Sequence, residues 1–529
     1  MSDDLLEAPV TGSRLDRRWA RFLSVGRRRT LWTWGGPIAV TLLAAILRFW
    51  NLGHPHSLVF DETFYVKDAW SLWNNGYEST WPDGADKLFA SGDAGGFSTV
   101  ASYVVHPPLG KWLIGLGMAA FGVDNSFGWR VSTAIAGTLA VLLIVLIAKR
   151  LFASTALAVI AGFLFAIDGH AIVMSRVSLL DNFLMFFVLL GFGAVLLDRP
   201  WHASRLAAKL AEARASGRDP AWGPVLWFRP WLLAAGLAFG AATAVKWNGL
   251  YFIAGFGLYV IVTDMLLRRK LGLTFWGSAA ILKQGPATFL NLVPPAFVVY
   301  LASWSGWIFT SGGYDRQWAN QEGNAWTGAF SWVPHWVQSL IQFHQSAYSF
   351  HIGLHTPHPY QANPLTWLFM IRPTSMYYES PKTGTDGCVW DNCSSAITSI
   401  GNPLIWWGAA IALGYLIYRL VRYREWQVGI IVLGVAAGYL PWMLYLNRTV
   451  FQFYTISFEP FLILGLAYAL GKILGSRDDL EERRVAGVGV VGVYLVIASA
   501  LSVFWYPLWT ATTVPYWYWY LHAWLPSWV

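Results

Sequence analysis

What most constrains this chain is the recurrence of apolar stretches about twenty residues long, the length a helix needs to cross roughly 30 Å of hydrocarbon. Eleven are read, near 31–49, 128–149, 154–173, 178–197, 231–246, 249–267, 287–309, 402–421, 427–446, 452–473 and 485–508. At about 150 residues per soluble domain, 529 residues would suggest three or four such domains. Charged residues make up only 12% of the chain, however, against roughly 25% in soluble domains. The fold class expected is an all-α polytopic membrane protein. Its 33 Trp and 23 Tyr suit the two membrane–water interfaces, where amphipathic rings accumulate.

The segment 109–122 is apolar but short and Gly-rich, and whether it spans decides the side of every later loop. Lys and Arg next to spans accumulate on the cytoplasmic face. With 109–122 outside, as a surface or re-entrant helix, the strong basic clusters all fall on one side. These are Arg27-Arg28-Arg29, Lys149-Arg150, the 198–230 loop, Arg268-Arg269-Lys270, Arg419 to Arg424 and Arg477 to Arg484. The N-terminus is then inside, the C-terminus outside, and two large polar, aromatic loops, 50–127 and 310–401, face the exterior. Within the 198–230 loop, HASRLAAKLAEARASG reads as a basic helix lying on the inner membrane surface. The net charge of +8 is held in these topology-setting clusters, so no nucleic-acid partner is expected.

The organisation expected is a cytoplasmic segment 1–30, a transmembrane module 31–309 that includes loop 50–127, an external Trp-rich loop 310–401, and a four-helix transmembrane region 402–529. No signal peptide is recognised, because no short apolar core with a small-residue cleavage site follows the Arg-rich start. The two cysteines, Cys388 and Cys393, could close one small loop or remain two thiols, since their spacing does not give Cα geometry.

Ionisable groups close to membrane spans are costly, and those that persist are often functional. The first external loop opens His54-Pro55-His56-Ser57-Leu58-Val59-Phe60-Asp61-Glu62, and Asp61 and Glu62 are the best acid–base candidates in the chain. His106 and Lys111, in His106-Pro107-Pro108-Leu109-Gly110-Lys111, and Arg130 place cations or donors on the same side. Arg176 and Asp181, five residues apart, could form a structural ion pair or serve catalysis. Lys246 and Asn248 lie at the external end of the fifth span, and Arg448 follows the ninth. The sequence has no G-x-x-x-x-G-K-[ST] loop for ATP-driven transport, no H-E-x-x-H motif, and no loop long enough for a soluble nucleotide-sugar domain. A sugar donor would have to be membrane-borne.

Six segments occur in a register that resembles the protein O-mannosyltransferase family, most closely its actinobacterial form. They are Phe60-Asp61-Glu62, His106 to Lys111, Phe127-Gly128-Trp129-Arg130, Ser175-Arg176-Val177-Ser178-Leu179-Leu180-Asp181, Val245-Lys246-Trp247-Asn248-Gly249, and Ile400-Gly401-Asn402-Pro403-Leu404-Ile405-Trp406-Trp407. The resemblance implies a GT-C type membrane glycosyltransferase with eleven spans. Its implied activity is inverting transfer of mannose from polyprenyl phosphate mannose to Ser or Thr hydroxyls of secreted proteins. The loop after the seventh span is too short for the sugar-binding-like MIR domain of eukaryotic members, so acceptors are recognised here without one.

An inverting transfer needs a base for the acceptor proton, assigned here to Asp61 with Glu62 orienting it or a neighbour. Arg130 and Lys246 are the candidates for stabilising the departing phosphate. No cofactor is expected; a divalent ion bridging Asp61, Glu62 and phosphate is chemically feasible but not favoured, because no third clustered carboxylate or D-x-D motif occurs. The partners expected are the lipid-linked donor, Ser/Thr-rich secreted proteins, membrane lipids and, as a further candidate, the protein translocation machinery. The location expected is the cell membrane, with the active site on the extracytoplasmic face. The alternatives are another lipid-linked-sugar glycosyltransferase acting on lipid or cell-wall glycan, and a transporter of lipid-linked sugar, which the absence of an internal repeat disfavours.

Overall fold

The computed structural model describes residues 13–528 apart from Asp219 and Arg477, so residues 1–12 of the expected N-terminal segment and one member of the last basic cluster lie outside it. Among the described residues, eight helices are long and apolar enough to cross a membrane: Gly26–Phe49, Ser126–Phe152, Leu180–Ala215, Gly249–Lys270, Trp276–Ser303, Pro403–Tyr423, Trp426–Tyr445 and Glu481–Trp509. Thr155–Ile167 and Gly169–Arg176, bent by 60°, form a ninth if counted as one broken span. Pro230–Val245 and Glu459–Leu474, of 16 residues each, occupy the two remaining expected positions. Helix Leu109–Phe121 has 13 residues, which at about 1.5 Å each is well short of a bilayer. It packs on Glu62–Asn75 and Ser126–Phe152, and Trp112 Nε1 donates to the Ser303 carbonyl at 3.0 Å. It therefore stays with the first large loop at one end of the bundle.

The bend at Asp168 has a local cause. The Asp168 side chain caps the second half-helix, accepting from the His170 and Ala171 amides at 2.9 and 3.4 Å, while its other oxygen accepts from the Asn402 amide at 2.9 Å. Asn402 in turn caps Pro403–Tyr423, with Pro403 at the first helical position where its missing N–H costs nothing. Its Nδ2 donates to the Ala498 carbonyl and to Ser502 Oγ, both at 2.8 Å. A Cβ on Gly169 would lie 2.0 Å from the Trp509 ring, so the close approach of the last span here requires glycine. One buried node thus joins the N-terminal half of the bundle to the C-terminal four helices.

Two local expectations change. The basic segment after the fourth span is not a separate surface helix: it continues Leu180–Ala215, a single helix of 36 residues, nearly twice the length a bilayer needs. Buried polar pairs hold it just past its midpoint, with His202 Nε2 2.6 Å from Asp264 Oδ1, Arg268 Nε donating to Asp264 Oδ2 at 2.7 Å, and Arg229 paired with Asp198. The loop 310–401 also contributes strand to an otherwise helical fold. Strands β1 (Thr374–Glu379), β2 (Cys393–Ser399) and β3 (Val514–Pro515) form an antiparallel sheet in the order β1-β2-β3, so the segment after the last span returns to pair with that loop. Cys388 and Cys393 are disulfide-bonded, with Cα atoms 5.9 Å apart, at the start of β2.

Candidate active site

The site is built around the turn that opens helix Glu62–Asn75. Phe60 has φ 48°, a left-handed conformation rarely adopted by a bulky aromatic residue. Its ring lies between Phe451, Phe453 and His358, at 5.8, 5.6 and 6.1 Å between centroids. Successive side chains on a helix diverge by about 100°, so Asp61 and Glu62 go different ways from this turn.

Glu62 points inward and is fully buried. Its two oxygens accept from Arg130 Nε and Nη2, each at 2.8 Å, from the Val59 amide at 3.0 Å and from the Ser178 amide at 2.8 Å. Arg130 is equally committed, since Nη1 and Nη2 also donate to the carbonyls of Pro55 and Ser57 at 2.9 Å. This overturns the sequence-based assignment of Arg130 to the departing phosphate, because its donors are already used on buried protein acceptors. Glu62 likewise has no oxygen to spare for a proton or a metal; it orients the loop that carries its neighbour.

Arg176 does not pair with Asp181. Its guanidinium donates to the carbonyls of Arg48, Trp50 and Asn51, at 3.0, 2.7 and 3.1 Å, and so satisfies the C-terminal end of Gly26–Phe49. Lys111 is buried against Glu78 and donates to the His106 carbonyl at 3.3 Å, which makes it a strut beneath the loop and not a cavity residue.

The remaining candidates converge. His106, Asp181, Lys246, Asn248 and Arg448 line one cavity of about 240 Å³. Trp247, Trp442 and Tyr454 supply its aromatic walls. At its rim, between helices Gly249–Lys270 and His335–Gly353, Leu250 and Ile352 are 52% and 45% exposed and present an apolar mouth. Lys246 Nζ donates to Asp181 Oδ2 at 2.7 Å and sits 4.8 Å from the Tyr454 ring centroid. Three polar atoms of this lining are buried without a hydrogen-bond partner: Asp181 Oδ1, Asn248 Oδ1 and the Arg448 Nε. Buried polar groups are normally paired, so two orphaned acceptors and one orphaned donor in a single cavity are what a polar ligand would satisfy.

Asp61 lies beside this cavity. Burial pushes its carboxyl up to about 6, against the attraction of Lys246 and with the help of the Asp181 charge. Its side chain makes no capping bond to its own helix. An aspartate so placed is a stronger base than an exposed one and is still mostly ionised at neutral pH. His106 is held neutral, pushed well below the usual imidazole range by burial and then by Lys246 and His351. Among the described residues, no group of three or more His, Cys, Asp or Glu side chains is arranged to hold a metal ion.

Sequence reasoning did not single out His351, Trp442 or Tyr454. His351 Nδ1 is 3.1 Å from Arg448 Nη2, and its ring lies 5.2 Å from that of His106. Trp442 lies only six residues from Arg448, inside an aromatic run where nothing local separates a site residue from an interfacial anchor.

An arrangement of this kind, a broken-helix bundle whose loops enclose an acid beside a cationic cavity at one membrane face, is that of a GT-C membrane glycosyltransferase. The fold matches one chain of the Saccharomyces cerevisiae protein O-mannosyltransferase Pmt1–Pmt2 complex bound to the sugar donor, with a TM-score of 0.69 over 99% of this chain and 96% of that one, at 15% identity. Residues 38–309 match the dolichyl-phosphate-mannose-protein mannosyltransferase family, residues 336–528 match the C-terminal four TMM region of protein-O-mannosyltransferase, and the chain belongs to this enzyme family. It is 35% identical over 503 residues to the polyprenol-phosphate-mannose–protein mannosyltransferase of Mycobacterium tuberculosis (strain ATCC 25618 / H37Rv), covering 92% of this chain and 90% of that one. The protein of the same name from Corynebacterium glutamicum is 30% identical over 511 residues, covering 95% and 94%.

Proposed function

We propose that the chain transfers mannose from polyprenyl phosphate mannose to Ser or Thr hydroxyls of secreted proteins, with inversion, at the extracytoplasmic face of the cell membrane. The observation that carries this reading is the placement of Asp61 against a cavity that holds Lys246 and Arg448 and opens through an apolar mouth. The names of the relatives supply the donor class and the protein acceptor. The reading of the face is supported by charge, because the basic clusters such as Arg268-Arg269-Lys270 close the spans at the ends opposite to Lys246 and Asn248.

In this mechanism the acceptor hydroxyl gives its proton to an Asp61 carboxylate oxygen as its own oxygen attacks the anomeric carbon. The bond from that carbon to the phosphate oxygen breaks on the opposite face. The electron pair leaves on polyprenyl phosphate, whose charge is met by Arg448, which can grip two oxygens, and by Lys246 as a point charge. Asp181 Oδ1 and Asn248 Oδ1 accept from sugar hydroxyls, and the polyprenyl chain leaves by the mouth at Leu250 and Ile352. Acceptors reach this face as extended secreted chains, with the translocation machinery as the neighbour that delivers them.

The test is a transfer assay with purified full-length protein, polyprenyl phosphate mannose and a Ser/Thr/Pro-rich peptide, run with and without chelator. Mannose on a peptide hydroxyl supports the reading. Transfer only to lipid or glycan, or movement of the donor across vesicles without transfer, overturns it.

A further inference from the structure

We infer that His351 is a positioning residue for the departing phosphate: it tethers the Arg448 guanidinium by Nη2 and so presents the Nε and Nη1 donors to the cavity. This rests on reading the cavity as the donor site.

The ring's hydrogen-bond roles are dictated by its partners. His351 Nε2 lies 3.0 Å from the Val105 carbonyl oxygen, which can only accept, so Nε2 must carry the hydrogen. Nδ1 is then a bare lone pair, 3.1 Å from Arg448 Nη2, which donates to it. The imidazole is therefore neutral while both contacts stand. Burial and the Arg448 charge push it down to about 4, in the same sense. Its ring is wedged between His106, at 5.2 Å, and Trp247, at 5.6 Å edge-on, which fixes the direction in which the lone pair points.

Little else restrains Arg448. Among the described residues it forms no ion pair with a carboxylate; its Nε is buried and unpartnered, and its guanidinium sits 5.9 Å from the centroid of the Trp442 ring. An arginine held by a carboxylate would have its charge partly cancelled before any ligand arrived. One held by a neutral imidazole is fixed in direction and keeps its full charge for a phosphate ester. The tether also crosses the site: Val105 belongs to the first external loop, immediately before His106, His351 to the helix His335–Gly353, and Arg448 to the loop after the ninth expected span.

The experiment measures binding of radiolabelled polyprenyl phosphate to the purified full chain, for His351→Leu, His351→Asn, Arg448→Ala and His351→Leu combined with Arg448→Ala. We expect His351→Leu to weaken binding about tenfold, ~1.4 kcal/mol, near the lower end of what a hydrogen bond to a charged group contributes. His351→Asn, whose carbonyl reaches the Nδ1 position, should stay within about threefold of the parent. The double variant should bind no worse than Arg448→Ala alone, because His351 acts only through Arg448. Unchanged binding by His351→Leu, or losses that multiply in the double variant, would overturn the inference. If His351→Leu does not fold, His351→Gln replaces it, since its longer amide reaches towards Val105 and leaves Arg448 without an acceptor. Failure of the parent protein to bind polyprenyl phosphate at all would instead sink the donor-site reading on which this rests.

Discussion

Arg130 and Glu62 form a forked ion pair in which Nε meets Oε1 and Nη2 meets Oε2, both at 2.8 Å, with the two side chains almost completely buried. Removing one partner of such a pair leaves an uncompensated buried charge, at a cost of about 3–5 kcal/mol. Glu62→Gln and Arg130→Ala should therefore fail chiefly in stability, read as a lower melting temperature and reduced yield in detergent. The fraction that does fold should still bind polyprenyl phosphate. A normally stable Arg130→Ala protein whose donor KM alone had risen would restore Arg130 as a phosphate ligand and refute its role here as a buried strut.

The disulfide between Cys388 and Cys393 closes a short loop beside β2, and β2 is the strand on which the C-terminal segment docks through β3. Loop-closure entropy for so short a ring amounts to about 2 kcal/mol. We expect Cys388→Ser to lower the melting temperature only modestly and to loosen the pairing of Ser394 with Val514 before the membrane bundle is affected. Hydrogen exchange at β2 and β3 under oxidising and reducing conditions checks this. Equal protection in both states would show that the sheet holds without the bond.

The spans were legible because each one requires a long apolar run. Asp61 and Glu62 drew attention for a related reason: carboxylates near a membrane are scarce enough for an adjacent pair to stand out. The sequence also pointed to Asp61 as the base and to Glu62 as orienting it or a neighbour, but not to the partner that holds Glu62. Arg130 is 68 residues from Glu62, and no local pattern carries the partner choice of a buried arginine across that distance. Arg176 and Asp181 misled by their proximity in sequence. The first closes helix Gly169–Arg176 and the second lies in the opening turn of Leu180–Ala215, with extended residues between, so their side chains leave in different directions. His351 had no motif to mark it; its significance lies in a contact with Arg448, 97 residues away.

Asp181 Oδ1 and Asn248 Oδ1 are buried acceptors without partners, whereas Asp181 Oδ2 is held by Lys246. A site built to accept hydrogen bonds from a sugar rejects an analogue that lacks the hydroxyl, because its own groups are then left unpaired, and the discrimination can reach about 10⁴-fold. Asn248→Ala should therefore raise the donor KM and narrow the preference for mannosyl over deoxymannosyl donors, by about tenfold for one lost bond. The comparison is made by kcat/KM with a fixed peptide acceptor. A uniform loss on all donors would assign Asn248 to the protein's own architecture and not to sugar recognition.

Asp61 should dominate the pH dependence, and the sign follows from its surroundings. The base works ionised, and burial has moved its carboxyl up to about 6, so kcat/KM should rise with pH through that value and level off above it. Lys246 holds the carboxyl down and the Asp181 charge pushes it up. Lys246→Met removes the first influence and releases the second from its ion pair, so both changes act in the same direction and the acid limb should move to higher pH. That shift is separable from any loss of donor affinity, because it changes the shape of the profile and not only its height. Asp61→Asn should lower kcat by about 10²–10⁴-fold and leave donor binding nearly intact, the loss expected for a positioned general base. A rate unaffected by Asp61→Asn, or an acid limb that stays in place in Lys246→Met, would take the proton-accepting role away from Asp61.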